Sequence, residues 1–287
     1  MTMRIPRLAE PGETIVGSGF SVSPGGKGSN QAVAARRLGA EVDLLTCIGP
    51  DELGRGAREL WTREGVGHED VKVGTLPTMV GIILVEPGGE NRIAIAPGAL
   101  DELRPEDVFG FAARMAAADL CVVGLEIPVE TAVEALQLAR RVGTATLLNP
   151  APARPLPDAA WDLIDYLTPN RLEAGGLLEI AAHTMAPAAL LDGLRRRCPG
   201  AIALTLGADG VLVAAAGTDL AQSIPAAPVS RVVDTTGAGD AFNGALAVAL
   251  ADGAPLAAAA AFANRAGAHA VQHADVIPSL PYRGDLA

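Results

Sequence analysis

Positive charge is scarce in this sequence. Lysine and arginine total 22 against 33 aspartates and glutamates, a formal net charge of −11. Neutralising backbone phosphates needs clustered basic side chains, so a nucleic-acid surface is excluded. Lysine itself occurs only as Lys27 and Lys72, which leaves few amines for any chemistry. Cysteine is confined to Cys47, Cys121 and Cys198. Their odd number and wide spacing exclude a disulfide framework and a zinc site, and they read as small buried hydrophobes. His68, His183, His269 and His273 form no metal-ligand cluster beyond a loose pair at His269 and His273, read as structural. There is no charge-free apolar run of 18 residues, and "MTMRIPRLAEPG" has no hydrophobic targeting segment. No membrane association is expected, and the cytoplasm is the default location.

What is present is apolar bulk. With 49% hydrophobic content in 287 residues, the chain can bury a sizeable core, as one large α/β domain or two small ones. In "NQAVAARRLGA" the apolar Val33, Ala34 and Leu38 share one helix face, Arg36 and Arg37 point outward, and Gly39 sits where a helix ends. A buried strand is expected over 41–49, then a helix in "ELGRGARELWTREGV". Two apolar runs flank Glu-Pro-Gly-Gly-Glu-Asn within 79–96, a hairpin pattern suited to a lid or edge sheet. From Arg104 onward helices and strands alternate: a helix over Pro105–Ala118, the strand "DLCVVGL", a helix at 129–142, "ATLLNPAP", "DYLTPN", paired strands in "AIALTLGADGVLVAAAG", and helices at 240–251 and 255–270. That alternation predicts a mostly parallel sheet with helices on both faces. No repeat, linker or charge run marks a boundary, so 1–287 reads as a single domain.

Two glycine-rich stretches carry the chemistry. The first, "PGGKGSN" at Pro24 to Asn30, is not a P-loop, because Lys27 follows Gly25-Gly26 directly and precedes Gly28 rather than a hydroxyl. The second is "VVDTTGAGDAFNGALAVAL", where a short apolar strand runs into Thr-Gly-Ala-Gly-Asp and then a helix. Gly237, Ala238 and Gly239 can bring successive N–H groups to an oxyanion at the positive end of that helix. Asp240 is out of place there. A first-turn carboxylate is ordinarily a cap, yet beside an anion cradle it repels the anion unless it takes a proton from an attacking hydroxyl. A dinucleotide site is not supported, since only half of G-x-G-x-x-G is present and near the wrong end of the chain.

"PGGKGSNQAVAARRLGA" and "DTTGAGDAFNGAL" resemble the two signature motifs of the PfkB carbohydrate kinases, and "NPAPA" with "TPNRLE" resembles the ribokinase branch of that family. The likeness runs from about Arg7 to about Pro281. It implies a ribokinase-like three-layer α/β sandwich with a small β lid from about 3–20 and 79–96, and transfer of the ATP γ-phosphoryl group to the primary hydroxyl of ribose. It makes Asp240 the general base and Gly237, Ala238 and Gly239 the anion hole. It places Asn170 and Glu173 near the phosphates and Mg2+, and puts Thr205, Gly207, Gly239 and Asn264 at the nucleotide. On their own residues, Asn170 and Glu173 read first as a helix cap and a solvated helix face, and their place at the phosphates rests on the resemblance.

The opening loop becomes a sugar site on this reading. Gly25 and Gly26 allow close approach, Lys27 and Asn30 donate, and Glu126 accepts from a hydroxyl; as an acid after a strand, Glu126 reads equally as solvated loop. The resemblance also implies a K+ site with Asp234 and Thr236 on one side and Ala270, His273, Asp275 and Ser279 on the other, and a homodimer formed through the lid. Leu100 in "PGAL" replaces an amide that often lies near the sugar. The family opens with a buried strand and a Gly-Ser-x-Asn-x-Asp segment, whereas "MTMRIPRLAEPGETIVG" already resembles the lid strand that follows. The expectation is therefore that the natural start lies upstream; without that strand the sheet has an open slot that favours aggregation or pairing. The alternatives are a family kinase for a nucleoside, fructose or a keto-sugar acid, and a non-catalytic sugar- or nucleotide-binding paralogue.

Overall fold

The computed structural model describes residues 1–87 and 91–286. In chain order its elements are β1 (Thr2–Arg4), β2 (Gly19–Ser21), α1 (Lys27–Arg37), β3 (Cys47–Ile48), α2 (Glu52–Glu64), β4 (Lys72–Val73), β5 (Val80–Val85), β6 (Asn91–Ala96), α3 (Pro105–Phe109), α4 (Ala112–Ala117), β7 (Leu120–Gly124), α5 (Val129–Val142), β8 (Ala145–Asn149), α6 (Asp158–Trp161), β9 (Tyr166–Leu167), α7 (Arg171–Leu178), α8 (Pro187–Arg195), β10 (Ala201–Thr205), β11 (Val211–Ala214), β12 (Ala221–Ile224), α9 (Ala238–Ala251), α10 (Leu256–Ala270) and α11 (Val276–Ser279). Short 3-10 turns complete the connections.

The main sheet has six strands in the order β12-β11-β10-β9-β8-β7. Strands β7 to β10 run parallel, whereas β11 and β12 pair antiparallel, so the sheet is mixed and its parallel part is the four-strand run. Alternation along each strand builds two cores. Leu147, Ala203, Val211 and Val213 face α1, α9 and α10, while Leu148, Ile202, Leu204 and Ala214 face α5, α7 and α8. Where α9 crosses α1, the position a Cβ on Gly244 would occupy lies 2.6 Å from the Ala34 Cβ. Only glycine permits so close a crossing.

A second sheet, ordered β2-β1-β5-β6, stands apart from the first. The hairpin read from 79–96 forms its β5–β6 half, with Val80 opposite Ala96 and Val85 opposite Asn91; the turn between them includes residues 88–90, outside the described residues. β1 joins this small sheet, parallel to β5 and antiparallel to β2. By alternation Thr2, Ile83 and Ile93 share one face, and Met3, Phe20, Ile82 and Leu84 share the other.

Several sequence expectations are corrected here. The strand over 41–49 shrinks to Cys47–Ile48, paired with β4, because Val42 to Leu44 exchange hydrogen bonds only with Gly67 in the turn after α2. The helix over Pro105–Ala118 is interrupted at Gly110, a poor helix former, giving α3 and α4. Val232 and Val233 form no strand: their side chains are exposed, and the segment is tied instead by the Val233 and Asp234 N–H groups to the Val271 carbonyl. Arg37 does not point outward. Its guanidinium pairs with Glu64 at 2.9 Å, with side-chain exposures of 8% and 9%, and donates to the carbonyls of Ile277 (2.8 Å) and Leu280 (2.7 Å).

Candidate active site

The carboxyl ends of the parallel strands open into a cavity of about 590 Å³. Turns there release the chain toward helices, so side chains from different strands converge on one space. Glu126 follows β7, Asn149 ends β8, Thr168 and Asn170 follow β9, and Thr205 ends β10; the starts of α1 and α9 complete the wall. The Thr2, Ile83 and Ile93 face of the small sheet lies across the opening.

The glycine loop leads directly into α1. Gly26 turns the chain at φ 98° into a helix that lacks a side-chain cap of its own. Glu126 supplies that cap from the far side of the cavity, its Oε2 accepting the Lys27 N–H at 2.7 Å. The Glu126 carboxylate thus caps the start of α1 while it lines the cavity. Burial raises the Glu126 pKa; the Lys27 charge works against that rise and the Asp240 charge adds to it.

The second glycine stretch forms the start of α9. Gly237 sits at φ 84°, and a Cβ there would come within 2.7 Å of Val276 Cγ1. The Ala238 N–H turns back to the Thr235 carbonyl at 3.3 Å. That takes the Ala238 N–H out of the expected cradle; the Gly237 N–H has no protein acceptor among the described residues, and neither, in the first turn of α9, do the N–H groups of Gly239 and Asp240. These two donors stand at the positive end of a 14-residue helix.

Asp240 is buried between two amides. Asn30 Nδ2 donates to its Oδ2 at 2.7 Å and Gln31 Nε2 to its Oδ1 at 3.3 Å. Burial raises the Asp240 pKa, opposed by the Lys27 charge and by these two donors. Asn30 Oδ1, in turn, is buried with no hydrogen-bond partner among the described residues. An unsatisfied buried acceptor costs about 1–3 kcal/mol, so a ligand hydroxyl at this point would be strongly favoured.

Asn170 and Glu173 prove to be both cap and cavity wall. The Asn170 side chain accepts from the Glu173 N–H at 2.8 Å, and Glu173 Oε2 accepts from the Asn170 N–H at 2.7 Å, a capping box at the start of α7. Burial raises the Glu173 pKa, with the Asn170 N–H working the other way. Gly25, Gly26, Lys27, Asn30, Glu126, Asn170, Glu173, Thr205, Asp234, Thr236, Gly237, Gly239, Asp240 and Asp275 all line the cavity. Gly207, Asn264, Ala270, His273 and Ser279 do not. Asn264 spends its amide on the Pro225 carbonyl at 2.9 Å, His273 stacks on His269 with centroids 4.4 Å apart, and the Ser279 hydroxyl donates to the Val276 carbonyl. Leu100 is buried and is not part of the wall.

Residues not singled out in the sequence also gather here. Gln31, Asn149, Thr168 and Asn243 are buried polar side chains linked behind Asp240. Asn149 Nδ2 donates to the Thr168 carbonyl, the Thr168 hydroxyl to Asn243 Oδ1, and Asn243 Nδ2 to the Gly239 carbonyl. The available signal was positional: each is a polar residue closing an apolar strand or interrupting an apolar helix face.

An α/β fold with free main-chain N–H groups at a helix start, a buried carboxylate beside them and an unsatisfied acceptor for a hydroxyl matches one class of protein, phosphotransferases with an alcohol acceptor. The sequence profile described as pfkB family carbohydrate kinase matches residues 1–283, and the chain belongs to that family. It is 35% identical over 282 residues to the ribokinase of Haemophilus influenzae, covering 97% of this chain and 91% of that protein. The crystal structure of ribokinase from Thermotoga maritima superposes with a TM-score of 0.87 at 31% identity, over 99% of this chain and 93% of that one. Arabidopsis thaliana ribokinase, solved in complex with ribose and ATP, gives a TM-score of 0.87 at 26% identity, with 99% and 93% covered. The fold is the ribokinase-like α/β fold, and the chain is a sugar kinase. Among the described residues no helix is long and apolar enough to cross a membrane.

Proposed function

We propose that this chain is an ATP-dependent ribokinase that phosphorylates the primary hydroxyl of D-ribose to give ribose 5-phosphate. The observation that carries the reading is the juxtaposition of Asp240, the free N–H groups of Gly239 and Asp240, and Asn30 with its unpartnered Oδ1. A sugar hydroxyl donating to Asn30 Oδ1 lies beside the Asp240 carboxylate. Asp240 takes the proton of the attacking hydroxyl as its oxygen bonds to the γ-phosphorus and the bond from that phosphorus to the β–γ bridging oxygen breaks, so that ADP leaves, and the two N–H groups stabilise charge on the transferring phosphoryl. Lys27, Asn30 and Glu126 hold the sugar. The complex of Arabidopsis thaliana ribokinase with ribose and ATP supports these partners.

Charge balance supports magnesium entering with the nucleotide. Lys27 is the one basic side chain lining the cavity, against Glu52, Glu126, Glu173, Asp234, Asp240 and Asp275, among the described residues. An unscreened nucleotide tetra-anion is repelled from such a wall. Asn170 and Glu173, which line the cavity, would offer oxygen donors to such a cation. Magnesium bound there would supply charge neutralisation of the nucleotide phosphates. The potassium site fits in part. Asp234, Thr236 and Asp275 reach the cavity but Ala270, His273 and Ser279 do not, so no step is derived through it. A homodimer formed through the small sheet completes the reading, with Met3, Phe20 and Ile82 as its exposed apolar face.

The test is ATP consumption with D-ribose, fructose, a nucleoside and a keto-sugar acid, with and without potassium. The reading expects ribose to give the highest kcat/KM and ribose 5-phosphate as product. A nucleoside or another sugar preferred by tenfold or more contradicts the ribose assignment, and no turnover with any acceptor contradicts catalysis.

A further inference from the structure

Asp240 is held by a chain of amides whose polarity is fixed from the backbone. The Thr168 carbonyl can only accept, so Asn149 turns Nδ2 toward it at 3.0 Å. Asn149 Oδ1 therefore faces Gln31, whose Nε2 donates to it at 3.0 Å. The same Nε2 has a second hydrogen, and that one reaches Asp240 Oδ1 at 3.3 Å. The relay crosses from the end of β9 through β8 and α1 to α9, and Gln31, Asn149 and Thr168 are buried at 6%, 5% and 2% exposure. A buried glutamine amide is costly unless fully engaged. Here both hydrogens of its amide are used.

We propose that Gln31 and Asn149 are positioning residues for phosphoryl transfer: they hold the Asp240 carboxylate so that Oδ1 is occupied, Oδ2 is shared with Asn30, and the proton-accepting lone pair faces the hydroxyl site. Neither residue needs to touch the sugar for this. Reversing any amide in the chain would set two acceptors against each other, so the backbone carbonyl of Thr168 dictates the orientation of the base. Removing the Gln31 donor leaves the buried carboxylate less favoured in its ionised form. The charged groups around it, Lys27 on α1, Glu126 after β7 and Glu173 on α7, stay in place.

The inference rests on Asp240 being the base, and the experiment separates the two. The pH dependence of kcat/KM with ribose and magnesium ATP is measured for the parent, Gln31→Leu, Gln31→Glu and Asp240→Asn. A base is active when deprotonated, so activity falls as pH drops through its pKa. Losing a donor moves that acidic limb upward, by about one pH unit in Gln31→Leu. Gln31→Glu moves it further, since a second carboxylate then faces Asp240; it changes no volume and reports even where the leucine variant loses packing. KM for ATP stays within about twofold in both, because the relay lies behind the base and not at the nucleotide. An acidic limb that stays at the parent position in both Gln31 variants, with Asp240→Asn inactive, overturns the positioning role alone. Turnover retained in Asp240→Asn overturns the base assignment beneath it.

Discussion

Substituting Gly237 with alanine tests how the anion cradle is held. Two costs arise from the geometry. The backbone at φ 84° is left-handed, which costs a residue with a Cβ roughly 1 kcal/mol. The new methyl also meets Val276 with Cγ1 at 2.7 Å and Cβ and Cγ2 at 3.4 Å. Valine is stiff at χ1 and has no flexible end to swing aside. Its neighbours are fastened too, since Arg37 holds the Ile277 and Leu280 carbonyls. Overpacking of this kind costs about 1–3 kcal/mol, for a total near 3 kcal/mol. Any relief by backbone shift moves the N–H groups of Gly239 and Asp240, so kcat falls about tenfold or more. Urea unfolding of Gly237→Ala, Val276→Ala and the double variant separates the terms. Shrinking Val276 removes the clash but not the φ cost, so the cycle gives a favourable coupling of about 1–2 kcal/mol. Additivity within about 0.5 kcal/mol, or a Gly237→Ala variant as stable as the parent, refutes the reasoning.

Other outcomes follow from the buried charges. Arg37→Met strands Glu64 and lowers unfolding stability by about 3–5 kcal/mol, while Arg37→Met with Glu64→Met recovers the larger part, short of the donors lost to the Ile277 and Leu280 carbonyls; thermal or urea unfolding reads both. The hydrogen bond from Arg37 lowers the Glu64 pKa against the opposing effect of burial, so its contribution is full above the ordinary glutamate pKa and is lost as pH falls through the lowered folded value. Asp240 has the opposite sign. Burial raises its pKa, so the folded protein binds a proton more readily than the unfolded chain and this site costs stability at neutral pH. Asp240→Asn is therefore expected to melt at a higher temperature than the parent at pH 7, with the difference shrinking as the buffer is made more acidic. A lower melting temperature at pH 7 contradicts this.

Much of the site was legible because its residues stand in continuous stretches. The two glycine loops announce themselves by needing both close approach and φ above zero, and Asn170 with Glu173 follows a capping pattern readable at three-residue spacing. Strands β7, β8 and β10 were legible as apolar runs closed by turns. The relay behind Asp240 was not, because Gln31, Asn149 and Thr168 come from three separate segments and acquire meaning only when α1 crosses the strand ends. Arg37 misled for a related reason. Helical periodicity placed it outward, but α2 and the segment after α10 fold over that face and bury it against Glu64. Val232 and Val233 have strand-forming side chains and no strand beside them to pair with, so propensity gave way to tertiary context.

The central claim, that Asp240 takes the proton of the sugar hydroxyl, is tested most directly by measuring Asp240→Asn for ribose-dependent ATP turnover and, in the same preparation, for ATP binding by calorimetry. The account predicts a kcat lowered by about 10²–10⁴ or more with ATP affinity kept, since the asparagine fills the same space among Asn30 and Gln31. A kcat within about threefold of the parent contradicts it.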